Sequence, residues 1–89
     1  MLEREITVIN KLGLHARAAA KLVSTASAYA AQVVLQKGGQ EVNGKSIMGV
    51  MMLAASCGTQ IRLKVDGEDE QAAMQARVTL VHDRFGEGE

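Results

Sequence analysis

The sequence predicts an α+β domain built as an open-faced sandwich, in which a four-stranded antiparallel sheet carries three helices on one face in the order βαββαβα. Two stretches, 3–9 and 60–66, alternate apolar and polar side chains as half-buried strands do. Two others, 16–28 and 69–84, place apolar residues at helical spacing. Gly38–Gly39 is a two-residue hairpin signal, which favours antiparallel pairing.

The first half of the chain supplies a strand, a helix and a hairpin. Apolar side chains occupy alternate positions near residues 3–9, and a turn follows. Residues 16–28 are rich in Ala and predict a helix. Its apolar face comprises Ala19, Leu22, Val23 and Ala26. The segments 32–37 and 40–42 are the predicted strands of the hairpin.

The second half supplies a short helix, a strand and a long helix. Ser46 is a good N-cap for a helix over about residues 47–55, and Gly58 is expected to end it. A clearly alternating strand comes next. The last helix, predicted over 69–84, begins with acidic residues, which the helix dipole favours there, and Gly86 can cap its end.

Composition narrows the classes of function. The 89 residues fit one domain, 1–89, and the formal net charge of zero argues against nucleic acid as a partner. Cys57 is the single cysteine, which excludes an internal disulfide and a four-cysteine zinc site. The charged N-terminus does not resemble a signal peptide. We therefore expect a cytoplasmic monomer without membrane insertion, metal or cofactor.

A histidine stands at the start of the first predicted helix, in the segment GLHAR at 13–17. The first N–H groups of a helix lack internal acceptors and, together with the helix dipole, form an anion site. The backbone N–H groups of Ala16, Arg17 and Ala18 would surround a phosphoryl group accepted by His15. The Arg17 guanidinium lies close enough in sequence to add a charge-assisted hydrogen bond.

Taken alone, His15 is also compatible with an ordinary surface turn residue, and His82 is assigned such a structural role. The sequence around His15 favours a functional role over a structural one. GLHAR, after a strand and before an Ala-rich helix, resembles the active-site motif of the HPr family, the histidine-containing phosphocarriers of the bacterial phosphoenolpyruvate-dependent phosphotransferase system. NGKSIMGVMML at 43–53 resembles the second signature of that family. The resemblance covers nearly the whole chain.

The resemblance implies a phosphoryl carrier rather than a turnover enzyme. It assigns phosphorylation to Nδ1 of His15, with Arg17 as its partner. Enzyme I would donate the phosphoryl group, and Enzyme IIA-type proteins or domains would receive it. Ala18 stands where the family pattern has proline, which leaves open whether the chain serves sugar transport or the nitrogen-related regulatory branch.

Ser46 has two interpretations. As an N-cap it contributes about 1 kcal/mol to helix stability. The resemblance adds a second role, because some HPr proteins are phosphorylated at this serine by a dedicated HPr kinase/phosphorylase. A phosphate there would place about two negative charges beside an apolar surface and repel an acidic partner.

The apolar segment after Ser46 cannot bury every side in so small a domain. Met suits surfaces that meet several partners. The predicted docking patch comprises Ile47, Met48 and Met51, extended by Ala20 and Lys21. Val50 and Leu53 are expected to point inward, while Met52 is left unassigned.

Two other functions remain as alternatives. Residues 39–46 match the nucleotide-binding pattern GxxxxGKS. A P-loop should leave a buried parallel strand, whereas the strands here alternate as in an antiparallel sheet. The other alternative is a non-catalytic protein-interaction regulator, which would need the docking patch but neither His15 nor Arg17.

Overall fold

A computed structural model describes residues 1–86 of the chain. The described elements are β1 (Leu2–Thr7), α1 (Ala16–Ser27), β2 (Gln32–Lys37), β3 (Gln40–Asn43), α2 (Ile47–Met52), β4 (Gln60–Asp66), α3 (Glu70–His82) and a final 3₁₀ turn (Arg84–Gly86). The order βαββαβα predicted from the sequence is therefore confirmed.

The four strands form one antiparallel sheet in the order β1-β4-β2-β3. Alternate residues face the helices and are buried, as along β4, where Ile61, Leu63 and Val65 are at most 1% exposed. The opposite face carries charged residues. Lys64 pairs with Glu41 on this face at 2.7 Å. The sheet is thus covered on one side and open on the other, as the alternating pattern requires.

The core between the sheet and the helices is almost entirely aliphatic. Leu22 and Ala26 of α1 and Val78 and Val81 of α3 pack in it, together with the buried ring of Phe85. Within residues 1–86, no helix is long and apolar enough to cross a membrane. The same residues contain no group of three or more His, Cys, Asp and Glu side chains that could hold a metal ion.

Helix α2 ends earlier than the sequence predicts. Its last residue is Met52 and Leu53 is its C-cap, so the expected end at 55 and the assignment of Gly58 as the stop are wrong. The physical reason is Ala54, whose φ of 51° is left-handed and cannot continue a right-handed helix. The first strand also ends sooner, at Thr7 rather than near 9.

Asp69 connects the start of α3 to the turn that follows α1. Its carboxylate accepts the N–H groups of Ala30 and Ala31, each at 2.8 Å. These backbone hydrogen bonds lower the pKa of Asp69 below its ordinary value of 3.8, and the bond from Ala30 has the larger effect. The carboxylate therefore contributes stability that is complete above that value and is lost as the pH falls through the lowered pKa.

We expect Asp69→Asn to lower the melting temperature at pH 7, because an amide keeps one acceptor oxygen where two N–H groups need one each. The difference between variant and wild type should shrink as the pH falls below the lowered pKa of Asp69. Thermal unfolding of both proteins at pH 7 and in acid measures this. A difference that stays constant with pH would contradict the role of the ionised carboxylate.

Candidate functional site

The loop that leads into α1 is a tight turn held by Asn10. The Asn10 carbonyl accepts the N–H of Gly13 at 3.1 Å, and the Asn10 Nδ2 donates to the Gly13 carbonyl at 2.7 Å. Gly13 has a left-handed φ of 68°. Leu14 is buried, and its N–H donates to the Ala55 carbonyl at 2.8 Å. The loop is therefore fastened to the segment that follows α2.

His15 is the N-cap of α1, with extended backbone angles. Its Nδ1 accepts the N–H of Arg17 at 3.4 Å. In this arrangement Nδ1 directs its lone pair towards the helix start, which in a neutral ring assigns the proton to Nε2. A bond of this length is weak, so it costs little to break when an electrophile approaches Nδ1.

The first turn of α1 offers further donors around this nitrogen. Among residues 1–86, the N–H groups of Ala16 and Ala18 donate to no acceptor, although Ala18 is 0% exposed, whereas the N–H of Ala19 donates to the His15 carbonyl at 2.8 Å. The Arg17 side chain is exposed. The structure thus brings together the predicted acceptor nitrogen, the backbone donors and the arginine at one helix start.

Helix α2 packs against α1, the helix that His15 caps, and it carries exposed apolar side chains. Ile47 is 44% exposed, Met48 73%, Met51 40% and Met52 66%. Val50 and Leu53 are buried, as predicted. Met52, unassigned from the sequence, therefore belongs to the exposed surface.

The two residues predicted to extend the docking patch from α1 are both exposed. Ala20 presents only a methyl group. The Lys21 side chain is held in place in a way that the sequence does not indicate, because its ammonium donates to the Phe85 carbonyl in the 3₁₀ turn after α3. Lys21 therefore ties α1 to the C-terminal turn as well as lying near the patch.

Ser46 is the N-cap of α2, and its Oγ accepts the N–H of Gly49 at 3.1 Å. The preceding residues do not form a phosphate-binding loop. Residues 40–43 are strand β3, paired with β2, and the Lys45 ammonium donates to the Tyr29 carbonyl at 3.0 Å. A P-loop needs these residues as a free backbone cradle, so the nucleotide-binding alternative does not fit.

A depression of about 460 Å³ lies at the β2–β3 edge of the sheet, lined by residues that include Val34, Asn43 and Lys45, and it does not include His15. His15 is partly exposed, so another protein can reach its ring.

Two residues of the site were missed from the sequence. Leu12, in the turn before His15, is 66% exposed, and a large apolar residue in a polar turn could have signalled a contact surface. Asn10 is 0% exposed. Nothing local indicates its burial, because Asn in a turn is ordinarily solvated.

Comparison with known proteins gives one consistent result. The family model described as "PTS HPr component phosphorylation site" matches residues 2–83. The phosphocarrier protein HPr of Xylella fastidiosa (strain Temecula1) is 62% identical over 87 residues, 98% of each chain. That of Cupriavidus necator is 56% identical over 89 residues, the whole of both chains.

Solved structures agree with the sequence relatives. The crystal structure of an HPr protein from Thermoanaerobacter tengcongensis superposes with a TM-score of 0.95 at 46% identity, covering 98% of each chain. A dimeric HPr structure from the same organism superposes with a TM-score of 0.79 at 46% identity, covering 98% of this chain and 100% of the other. The chain belongs to the HPr family, the phosphoryl carriers of the phosphotransferase system.

Proposed function

We propose that His15 is the phosphoryl acceptor, and that it takes the group from phospho-Enzyme I and passes it to an Enzyme IIA-type protein or domain. The observation that supports this most directly is the position of Nδ1, which accepts the Arg17 N–H at 3.4 Å at the start of α1. Transfer forms the Nδ1–phosphorus bond and breaks the bond to the donor group of Enzyme I. The Nε2 proton stays on the ring throughout.

The surrounding groups suit a carrier, which must release what it accepts. The N–H groups of Ala16, Arg17 and Ala18 and the Arg17 guanidinium would hold the phosphoryl oxygens. Each such contribution at an exposed helix start is about 0.3–1 kcal/mol. Stabilisation on that scale orients the group without trapping it, so transfer onward is not prevented.

The acceptance step has a direct test. The protein is mixed with Enzyme I, magnesium and phosphoenolpyruvate, and its intact mass is measured. One added phosphoryl group that is labile in acid is the expected result. No added mass with a demonstrably active Enzyme I would overturn the proposal.

The apolar surface of Ile47, Met48 and Met51 is proposed as the docking patch for both partners, with Ala20 and Lys21 at its edge. Its side chains are exposed next to the helix that carries His15. Exposed Met side chains adapt to different partner surfaces, which a carrier with a donor and an acceptor needs.

Met48→Asp is expected to raise the KM of Enzyme I for this acceptor about tenfold or more, because an exposed apolar anchor is replaced by a charge that must be desolvated. Initial rates of phosphorylation against acceptor concentration measure the change. Gln75→Asp, at an exposed position on α3, adds the same charge and serves as the control. Equal KM values for the two variants would remove Met48 from the patch.

We further propose that Ser46 is a regulatory phosphorylation site. Its hydroxyl lies at the start of the helix that bears the docking patch, so a phosphate would place negative charge directly beside Ile47 and Met48. The expected consequence is weaker docking of Enzyme I and slower phosphorylation of His15.

Incubation with an HPr kinase/phosphorylase and ATP should add one acid-stable phosphate to the wild type and none to Ser46→Asn. Asparagine keeps the N-cap acceptor, so this variant removes the hydroxyl at little cost to the helix. The phosphorylated wild type should then accept the second phosphoryl group from Enzyme I at least about tenfold more slowly, as expected for a charge introduced into an interface. An unchanged rate of phosphoryl acceptance from Enzyme I would mean that Ser46 acts only as the N-cap of α2.

The cellular setting is also a proposal. An unpaired, exposed Cys57 suits the reducing cytoplasm, and a monomer leaves the site and patch open to both partners. Sugar uptake or regulation then depends on which Enzyme IIA-type acceptor the patch binds. The alternative of a non-catalytic regulator predicts partner binding that does not require His15.

A further inference from the structure

Asn10 buries a primary amide beneath the turn that ends at His15. The residue is 0% exposed, and its Nδ2 donates to the Gly13 carbonyl at 2.7 Å. Its own carbonyl accepts the Gly13 N–H at 3.1 Å. One residue therefore binds both backbone polar groups of Gly13, the residue two positions before His15.

The ends of this loop are fixed independently. Val8 exchanges backbone hydrogen bonds with Gly58 and Thr59, at 2.7 Å and 2.9 Å, and the Leu14 N–H donates to Ala55 at 2.8 Å. With both ends held, the remaining freedom of the loop is rotation of the peptide groups between them. The Asn10 amide opposes that rotation at the Gly13–Leu14 peptide.

We propose that Asn10 is a positioning residue for phosphoryl transfer, acting through Gly13 to orient the His15 ring towards the start of α1. Burying an amide costs free energy unless its hydrogen bonds are made, and the short bond from Nδ2 to the Gly13 carbonyl offsets part of that cost in this turn geometry. The inference rests on the proposed role of His15 as acceptor.

Asn10→Asp tests the proposal with the least change in shape. The carboxylate replaces the donor by an acceptor that repels the Gly13 carbonyl. The kcat of Enzyme I with this acceptor should fall about tenfold or more, since small misplacements of reacting groups have effects of this size. KM should change less than about twofold, because the anchors on α2 are untouched. Val65→Ala, buried in β4, is the control for lost stability alone and should leave kcat unchanged.

Acidification supplies a rescue. Once protonated, the carboxyl group that Asn10→Asp introduces can again donate to the Gly13 carbonyl, so the ratio of the variant rate to the wild-type rate should rise as the pH falls. A ratio independent of pH, together with a kcat equal to that of the Val65→Ala control, would overturn the positioning role.

A readout without Enzyme I separates this inference from the proposed function. In the unphosphorylated protein, NMR resonances of the Arg17 amide and of the His15 ring nitrogens should shift in Asn10→Asp and not in Val65→Ala. Unshifted resonances in a folded variant would refute the orientation of His15 by Asn10. Failure of the wild type to accept a phosphoryl group would refute the function of His15 instead, and the resonances would still decide the role of Asn10.

Discussion

His15→Ala is expected to abolish phosphoryl acceptance from Enzyme I while leaving the protein folded. The methyl group cannot form the bond to phosphorus, and the N–H groups of the first turn of α1 can only hold an anion, not accept the group covalently. The fold should survive because the imidazole is only partly buried, and its bond to Arg17 is long, at 3.4 Å. Loss of such an N-cap costs about 1 kcal/mol.

The matched control is His82→Ala, which removes the other histidine of the chain, exposed at the end of α3. It should accept one phosphoryl group like the wild type. Intact-mass measurement of both variants after incubation with Enzyme I and phosphoenolpyruvate decides the matter. Acceptance by His15→Ala would contradict the assignment. Binding of Enzyme I by a folded His15→Ala with no mass gain in the wild type would favour the non-catalytic regulator.

Periodicity accounts for how much of the fold could be predicted. The strand β4 alternates clearly and the helix α1 has strong helical spacing. The predicted bounds of both elements agree with the structure within one residue. The end of α2 could not be predicted. A left-handed residue stops the helix, and the sequence favours Gly58 for that conformation, whereas Ala54 adopts it with a φ of 51°. The residues that follow Ala54 pack against Gly13 and bind the Leu14 N–H, which is a contact between distant parts of the chain.

The candidate site likewise combines local features, which the sequence predicts, with contacts between distant residues, which it does not. The cap at His15 and the donors of the first turn are local, so their positions follow from the motif and the helix start. The contacts that brace them are not local. Lys21 binds the carbonyl of Phe85, 64 residues away in sequence, and the Leu14 N–H donates to the Ala55 carbonyl in the segment after α2. Neither interaction leaves a pattern in the sequence.

Gly13→Ala is expected to lower the free energy of unfolding by about 3 kcal/mol or more. The left-handed conformation costs an alanine about 1–2 kcal/mol. Its Cβ would also lie 2.5 Å from the Ala55 carbonyl oxygen and 2.8 Å from the Ser56 Cα. These are backbone atoms, and they can move away only by breaking the bond between Leu14 and Ala55, which costs about 1 kcal/mol or more.

Gly38→Ala separates the two causes. Gly38 has a similar φ of 60°, but a Cβ there would meet nothing within 4 Å. The free energy of unfolding of Gly38→Ala should fall only by the cost of the left-handed conformation, about 1–2 kcal/mol. Thermal unfolding should therefore show a clearly larger fall for Gly13→Ala than for Gly38→Ala, at roughly 4–8 °C for each kcal/mol lost. Equal losses would mean that the loop before His15 is not held against the segment after α2, and that its shape comes from backbone conformation alone.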